Sequence, residues 1–437
     1  MVRTPWFGVL PFLGREHDSK TPPVQGLVLA GGGARASFQL GALRYLYDIA
    51  EIAPTSICAT SAGAIVGAML AQSSDRNEQS ATLRAVESLW LGMDSAAQMF
   101  SERQWFAVVR EHAPELLSLI DLGTATEPEL NLDEDRGWPW MKLPFPWPAS
   151  KEGPPASEPE LPPQPVAPTS SAKTLNIALE EEPARPMDWT PSLLLQILNN
   201  LPKLGRLSGD LTKALRLAET SRSMYRTGAI ILDLLGQFDS QRVQDSGMKV
   251  RLAIVGLNSG ELRFMRQDGQ IVDRDDSPID GSAGDLSLGV LASCSIPGVF
   301  KPVQMGDEFY VDGGVRENVP VEMAVANLGV TRPYVITCNP SGTPHSDYQT
   351  RDLVSVMMRA ATIMTDELER DEVAYAKSNG AIVIEPEILV HDTMMVDPGL
   401  LRINRDYGWM RAAEAHTQTH QVQIQLHREL IEAVKKV

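Results

Sequence analysis

Two short apolar segments of this chain each end in small residues that lead directly into a predicted helix. The first, Gln25–Ala30, runs into Gly31-Gly32-Gly33, and apolar residues at helical spacing follow over residues 36–50. The second, Ser56–Thr60, leads into Ala62–Leu70, a run of small and apolar residues. Strand, helix, strand and helix within about 45 residues make a βαβ unit, which places the two strands in a parallel sheet. The sequence therefore predicts an α/β fold.

Alternation of strands and helices resumes in the C-terminal half, and a different kind of segment separates the two halves. Residues 72–245 are predicted as a large, mostly helical insertion whose proline-rich centre, 138–168, contains eleven prolines. Proline at that density prevents helices and strand ladders. We interpret the insertion as an exposed elaboration, with a lid or a partner-docking surface as the alternative. The predicted organisation is an N-terminal extension (1–22), an α/β domain (23–390) interrupted by this insertion, and a C-terminal helical tail (391–437).

Composition excludes several classes of protein. The chain carries 39 Lys and Arg against 56 Asp and Glu, a net charge of −17. That balance argues against a nucleic-acid partner, because phosphate backbones require clustered basic residues. The three cysteines are far apart and show neither a disulfide framework nor zinc-ligand spacing. No apolar run reaches the roughly 18 residues of a membrane span, and the N-terminus lacks the features of a signal peptide. We therefore expect a cytoplasmic protein that contacts membranes, if at all, only from the surface.

The second strand-to-helix junction has the sequence Ala59-Thr60-Ser61-Ala62-Gly63. This is a variant of G-x-S-x-G, the pattern in which a serine lies on a sharp turn that exposes its hydroxyl while small neighbours let strand and helix approach each other. At the start of a helix, the dipole also favours negative charge. Ser61 is thus a candidate nucleophile; the alternative is a serine that caps the helix.

The first junction, Gly31-Gly32-Gly33-Ala34-Arg35-Ala36, supports two interpretations. Backbone N–H groups at such a turn could hold an oxyanion during acyl transfer. The spacing also fits a dinucleotide-binding fingerprint, which requires an acidic residue at the end of the next strand. Residues 58–60 provide Cys, Ala and Thr there, which argues against a dinucleotide. Arg35 is either a solvated residue at the helix start or a group that steadies an anion or braces the turn.

Asp312-Gly313-Gly314 follows the predicted strand 309–311. Asp-Gly is by itself an ordinary turn signal, but an ester-cleaving serine needs a general base within hydrogen-bond reach. None of the seven histidines follows a strand in a glycine-rich setting, and His416 and His420 have the spacing of one helix face. The residues therefore favour a Ser–Asp dyad over a Ser-His-Asp triad, and they predict no metal site.

Taken in order, these segments resemble the patatin-like phospholipases: the glycine-rich turn, the serine junction, Ala292–Pro297 (ASCSIP) and Asp312-Gly313-Gly314. The resemblance implies a three-layer α/β/α fold with a mostly parallel central sheet. It also implies a lipid acyl hydrolase without a cofactor, acting through an acyl-enzyme on phospholipid or neutral lipid at a membrane or micelle interface. Ser61 would be the nucleophile and Asp312 the base, supported by Ala59, Gly63, Gly313 and Gly314. The loop Gly31–Arg35 would bind the oxyanion, through the N–H groups of Gly32 and Gly33 and that of Ala34.

Two positions depart from the family pattern, because Ala59 and Ala36 stand where the family has glycine. A displaced nucleophile or donor costs about 100-fold in rate. The alternative function is accordingly a catalytically weak or inactive lipid-binding or scaffold protein of the same fold. The proline-rich segment, with its paired prolines, is a candidate docking site for a protein partner, and Trp138, Trp140 and Trp147 are candidates for contact with a lipid interface.

Overall fold

A computed structural model describes residues 22–111, 222–342 and 353–435 of the chain. Several predictions lie outside these residues. They are the N-terminal extension up to residue 21, the proline-rich segment with its three tryptophans, and the leucine pattern that precedes residue 222. The division into extension, domain, insertion and tail stays a prediction.

The described part of the chain contains both strands and helices, which alternate in its N-terminal part. The strands are β1 (Gln25–Leu29), β2 (Ser56–Ala59), β3 (Phe100–Glu102), β4 (Tyr225–Thr227), β5 (Lys249–Gly256), β6 (Leu262–Arg266), β7 (Gln270–Val272), β8 (Pro278–Ala283), β9 (Val303–Met305), β10 (Glu308–Asp312), β11 (Arg332–Ile336) and β12 (Ile382–Ile384). The α-helices are α1 (Ala36–Asp48), α2 (Ala62–Leu70), α3 (Arg76–Leu91), α4 (Gln104–Glu111), α5 (Ala229–Gly236), α6 (Ser240–Ser246), α7 (Leu286–Ser293), α8 (Leu353–Ser378) and α9 (Pro398–Lys435).

The central sheet has a parallel part in which β1 and β2 are neighbours. Its order is β12-β11-β1-β2-β5, and all four pairings are parallel. Parallel neighbours end at the same edge of a sheet, so the glycine-rich turn after β1 and the serine junction after β2 lie side by side. The predicted α/β fold with a parallel centre is confirmed.

An antiparallel part extends the same sheet beyond β5. Strands β6, β7 and β8 continue it as a meander, and β10 pairs antiparallel with the last residues of β5. Strands at 261–264 and 309–311 were predicted, but β7, β8 and the antiparallel pairing were not, because these strands are short and joined by tight turns instead of helices. Asp268-Gly269, with Gly269 at a φ of 79°, is the hairpin signal that could have revealed it.

Helices cover both faces of the sheet, which makes the three layers that the family resemblance implies. Leu27 and Leu29 of β1 face a core shared with α1, α2, α3 and α9, whereas Val28 and Ala30 face a second core that includes Ala376 of α8. A strand that is apolar on both sides is characteristic of a buried parallel sheet.

The C-terminal helix α9 is part of the first helical layer. A Cβ atom at Gly41 of α1 would lie 1.7 Å from the carbonyl oxygen of Arg405, and one at Gly408 would lie 2.0 Å from that of Phe38. Only glycine permits so close a crossing of two helix backbones. The crossing fixes α1, and with it the glycine-rich turn at its start. In the described part of the chain, no helix is long and apolar enough to cross a membrane.

Candidate active site

Ser61 lies between β2 and α2 with backbone angles that a serine rarely adopts. Its φ is 54° and its ψ is −128°, a conformation that costs on the order of 1–3 kcal/mol. Two hydrogen bonds from the end of α7 hold it: the Ser61 N–H donates to Ser293 Oγ (2.9 Å), and the Cys294 thiol donates to the Ser61 carbonyl (3.1 Å). The Ser61 side chain makes no capping bond to α2, so the helix-cap interpretation is wrong.

Small residues around Ser61 allow the strand and the helix to approach each other. A Cβ atom at Gly63 would lie 2.5 Å from the Leu29 carbonyl oxygen, so no larger residue fits there. Ala59, the first departure from the family pattern, is fully buried. A Cβ atom at Gly67, on the facing turn of α2, would lie 3.4 Å from the Ala59 methyl. Gly67 thus leaves the space that the methyl occupies, so the serine junction accommodates alanine at residue 59.

Asp312 reaches Ser61 because two strands share one edge of β5. The pairing of β2 with β5 ends at Ala59 opposite Leu252, and β10 then pairs with β5 two residues further along, with Asp312 opposite Ile254. Asp312 therefore lies where β2 would have continued, and its carboxylate shares a side-chain hydrogen bond with Ser61.

The Asp312 carboxylate is buried and has few stabilising partners. Its Oδ1 accepts a hydrogen bond from the Gly314 N–H at 2.8 Å. Burial raises the pKa of Asp312 from its ordinary value to about 7, against the opposing effects of the bonds with Ser61 and Gly314. A Cβ atom at Gly313 would lie 2.5 Å from the Ala253 Cβ, so that glycine lets the Asp312 turn sit directly on β5. A carboxylate with such a pKa can accept and return a proton near neutral pH.

The glycine-rich turn presents two N–H groups that have no partner in the described part of the chain, those of Gly32 and Gly33. The others are used: Gly31 donates to Asn318 Oδ1 (3.0 Å) and Ala34 donates to the Thr393 carbonyl (2.8 Å). This corrects the expectation for Ala34, whose N–H is taken by a loop about 360 residues away in sequence. The turn approaches the serine closely, since a Cβ at Gly31 would lie 2.9 Å from the Ser61 Cβ.

Arg35 braces the turn, in accord with one of its predicted roles. Its Nη2 donates to Thr393 Oγ1, in the same loop that accepts from Ala34. Its buried Nε has no hydrogen-bond partner among the described residues. Ala36, the second departure from the family pattern, is fully buried at the start of α1.

Asn318 joins the two loops of the site, and the sequence analysis missed it. Its Oδ1 accepts from Gly31, and its Nδ2 donates to Glu369 Oε2 (2.9 Å). The neighbouring Glu372 accepts from the Val319 N–H at 2.8 Å, and burial raises its pKa to about 9. Asn318 lies six residues after Asp312, and no pattern in the sequence distinguishes it.

An apolar groove opens at Ser61 on the side of α3 and α7. Its lining is Gly33, Ser61, Ala62, Ile65, Trp90, Met99, Phe100, Ile231, Cys294, Ile296 and Phe300. Four of these come from the predicted insertion, 72–245, which therefore contributes directly to the site. No sequence pattern indicated them, because they are single apolar residues on separate short elements. The described residues contain no cluster of three or more metal-ligating side chains.

A family model described as patatin-like phospholipase matches residues 27–151 and 167–325, well over half of the chain. The chain belongs to this family. The resemblance drawn from the motifs is thereby confirmed, and membership supports a lipid hydrolase. No curated protein sequence matches the chain.

The solved structures that the chain matches include two bacterial proteins and one human protein. VipD from Legionella pneumophila is 14% identical (TM-score 0.40), over 91% of this chain and 67% of VipD. ExoU of Pseudomonas aeruginosa, solved in complex with SpcU, is 16% identical (TM-score 0.31), over 92% of this chain and 52% of ExoU. Human GIVD cytosolic phospholipase A2, solved with methyl gamma-linolenyl fluorophosphonate, is 11% identical (TM-score 0.37), over 93% of this chain and 60% of the phospholipase. The chain thus spans between half and two thirds of the length of these proteins.

Proposed function

We propose that this protein is a lipid acyl hydrolase that cleaves carboxylic esters with a Ser61–Asp312 dyad. The observation that carries the proposal is the side-chain hydrogen bond between a strained, positive-φ serine and a buried aspartate whose pKa lies near 7. Two partnerless backbone N–H groups and an apolar groove adjoin the same serine. Family membership independently supports lipid hydrolysis.

In the first half of the reaction, Ser61 Oγ attacks the ester carbonyl carbon while Asp312 takes the hydroxyl proton. The Gly32 and Gly33 N–H groups stabilise the oxyanion of the tetrahedral intermediate, an effect worth about 10²–10³ in rate per donor. Collapse of the intermediate breaks the bond to the alcohol, and the Asp312 carboxyl returns its proton to the departing oxygen. Ser61 is left as an acyl ester.

In the second half, a water molecule attacks the acyl-enzyme carbonyl and gives its proton to Asp312. The intermediate collapses to release the fatty acid, and the proton returns to Ser61 Oγ. The raised pKa of Asp312 suits both halves, because a general base acts best when its pKa lies near the working pH. The residues require no metal or cofactor for either half. The apolar lining beside Ser61 supports a lipid substrate presented at a membrane or micelle surface, and the groove, about 20 Å³ in this structure, has to widen to hold an acyl chain.

The test is fatty-acid release from nonionic detergent micelles that contain a neutral acylglycerol or a phospholipid with the same acyl chains. Ser61→Ala should abolish release of fatty acid. Ser95→Ala is a matched control, because Ser95 is exposed and its side chain makes no capping bond. Release by the wild type that persists in Ser61→Ala would overturn the proposal. A folded wild type that releases nothing would favour the lipid-binding or scaffold alternative.

A further inference from the structure

Strands β3 and β4 pair antiparallel as a separate two-stranded sheet. A second cavity opens beside the apolar groove, between this sheet and the segment that follows α7. Ile231, Cys294 and Phe300 line both spaces, so the two lie side by side with these residues between them. Cys294 is also the residue whose thiol donates to the Ser61 carbonyl at 3.1 Å. One side chain therefore separates this second cavity, called the cationic cavity below, from the candidate nucleophile.

The walls of the cationic cavity come from elements that are held together by backbone hydrogen bonds. Met224 and Tyr225 donate to the carbonyls of Gly298 and Val299, at 2.9 Å each, and thereby tie β4 to the segment after α7. The Arg103 N–H donates to the Met224 carbonyl at 3.1 Å. The cavity thus has fixed walls on both sides.

Three cations line this cavity: Arg103, Arg226 and Lys301. Among the described residues, none of the fourteen that line the cavity is Asp or Glu, although acidic residues outnumber basic ones by 56 to 39 in the whole chain. Arg103 Nε donates to Ser223 Oγ at 2.9 Å, which leaves its terminal nitrogens for another acceptor. Among the described residues, neither Arg226 nor Lys301 forms an ion pair. Cations gathered without a protein counter-ion favour binding of an anion.

We infer that the cationic cavity is a subsite for the phosphate of an anionic lipid head group, and that it directs the proposed hydrolase to amine-free phospholipids such as phosphatidic acid. The inference rests on the proposed function, since it assigns a substrate class to that same site. Arginine side chains bind phosphate with paired N–H donors. An amine-bearing head group would place its ammonium among three cations with no carboxylate to receive it. A neutral acylglycerol would leave the cations without a partner.

The position of the cationic cavity beside the apolar groove favours a lipid over a soluble phosphate ester. A glycerophospholipid carries its phosphate only a few bonds from its ester groups. An acyl chain in the apolar groove and an ester at Ser61 therefore leave the phosphate close to Cys294 and the cationic cavity. A soluble phosphate ester would fill the cavity and leave the apolar groove empty.

The experiment compares charge-neutralised variants on three substrates with the same acyl chains: phosphatidic acid, phosphatidylcholine and diacylglycerol. They are presented in nonionic detergent micelles, because the net charge of −17 would repel an anionic vesicle surface. Arg226→Gln and Lys301→Gln change exposed side chains, and each should lower kcat/KM for phosphatidic acid about tenfold, the effect of one charged hydrogen bond. The rate on diacylglycerol should stay within about twofold, since the neutral substrate makes no such bond.

Lys249→Gln is the matched control, because it removes the same charge from an exposed position at the start of β5, paired with the start of β2 and away from Ser61. It should leave all three rates unchanged. Equal losses on phosphatidic acid and diacylglycerol in Arg226→Gln, or no loss on phosphatidic acid, would overturn the subsite. A wild type that prefers phosphatidylcholine would overturn it as well.

A binding measurement separates failure of the subsite from failure of the proposed function. Calorimetric titration of Ser61→Ala with lysophosphatidic acid in the same micelles requires no turnover. We expect binding that weakens about tenfold in the additional variant Arg226→Gln. If the wild type releases no fatty acid but this binding and its loss are observed, the hydrolase proposal fails and the phosphate site stands. Binding that does not depend on Arg226 and Lys301, or equally tight binding of glycerol 3-phosphate, would overturn the lipid subsite.

Discussion

Replacement of Asp312 by asparagine should make the protein more stable and inactive at the same time. The buried carboxylate has its pKa raised from 3.8 to about 7. The folded state therefore carries a cost of about 4 kcal/mol at pH 8, at about 1.4 kcal/mol per pKa unit. Asparagine has nearly the same shape, can accept the bonds from Ser61 and Gly314, and bears no charge. Loss of the general base should lower activity about 10²–10⁴-fold.

The sign of the pH dependence follows from the raised pKa. Between the unfolded and folded pKa values, the folded state holds one more proton than the unfolded state, so wild-type stability falls as pH rises towards 7. The stability advantage of Asp312→Asn is greatest above pH 7 and shrinks by about 1.4 kcal/mol for each pH unit below it.

Urea unfolding of both proteins at pH 8 and pH 6 measures this difference, and ester hydrolysis measures the loss of activity. Asp307→Asn is the control, because Asp307 is exposed in the turn between β9 and β10, and it should change neither quantity. An Asp312→Asn protein that is no more stable than wild type at pH 8, or that retains activity, would refute the assignment of Asp312 as a buried general base.

Three further predictions follow from the site. Acylation of the wild type should fall about tenfold per pH unit below 7, because protonated Asp312 cannot accept the Ser61 proton; a flat profile from pH 8 to pH 5 would contradict this. Ala59→Gly should leave kcat/KM within about twofold, since Gly67 already makes room for the methyl. The same change should lower the free energy of unfolding in urea by about 1.5 kcal/mol, because it removes a buried methyl and adds chain entropy to the unfolded state. A tenfold gain in activity would instead show that Ala59 displaces Ser61 at the serine junction. Asn318→Ala should lower kcat about 10–100-fold with little change in KM, because it removes the acceptor of the Gly31 N–H and so loosens the glycine-rich turn. A change in KM alone would contradict this role.

Local sequence patterns predicted much of the fold and the centre of the site. The β1-turn-α1 and β2-Ser61-α2 junctions are short, and each carries its own signal in small residues at fixed spacing. Parallel pairing of β1 with β2 follows from chain connectivity alone. Asp312 could be placed with Ser61 only through the order of the family motifs, because its position depends on β10 pairing with the far end of β5.

Contacts between distant segments are what the sequence could not predict. The Ala34 N–H was expected to be available, but it donates to Thr393, in a loop that precedes α9. The use of Asn318 as an acceptor for Gly31 depends on two loops that are 287 residues apart. The apolar groove is built from single residues on α3, β3, α5 and the segment after α7. Such sites arise from packing and leave no local period in the sequence.

The most direct test of the central claim is the reaction of the intact protein with an alkyl fluorophosphonate, followed by mass spectrometry. We expect one adduct on the wild type, located by peptide mapping at Ser61, with slow labelling of Asp312→Asn and none of Ser61→Ala. The reaction should be measured with and without nonionic micelles. Labelling of another residue, or no adduct on the folded wild type under either condition, would contradict Ser61 as an activated nucleophile.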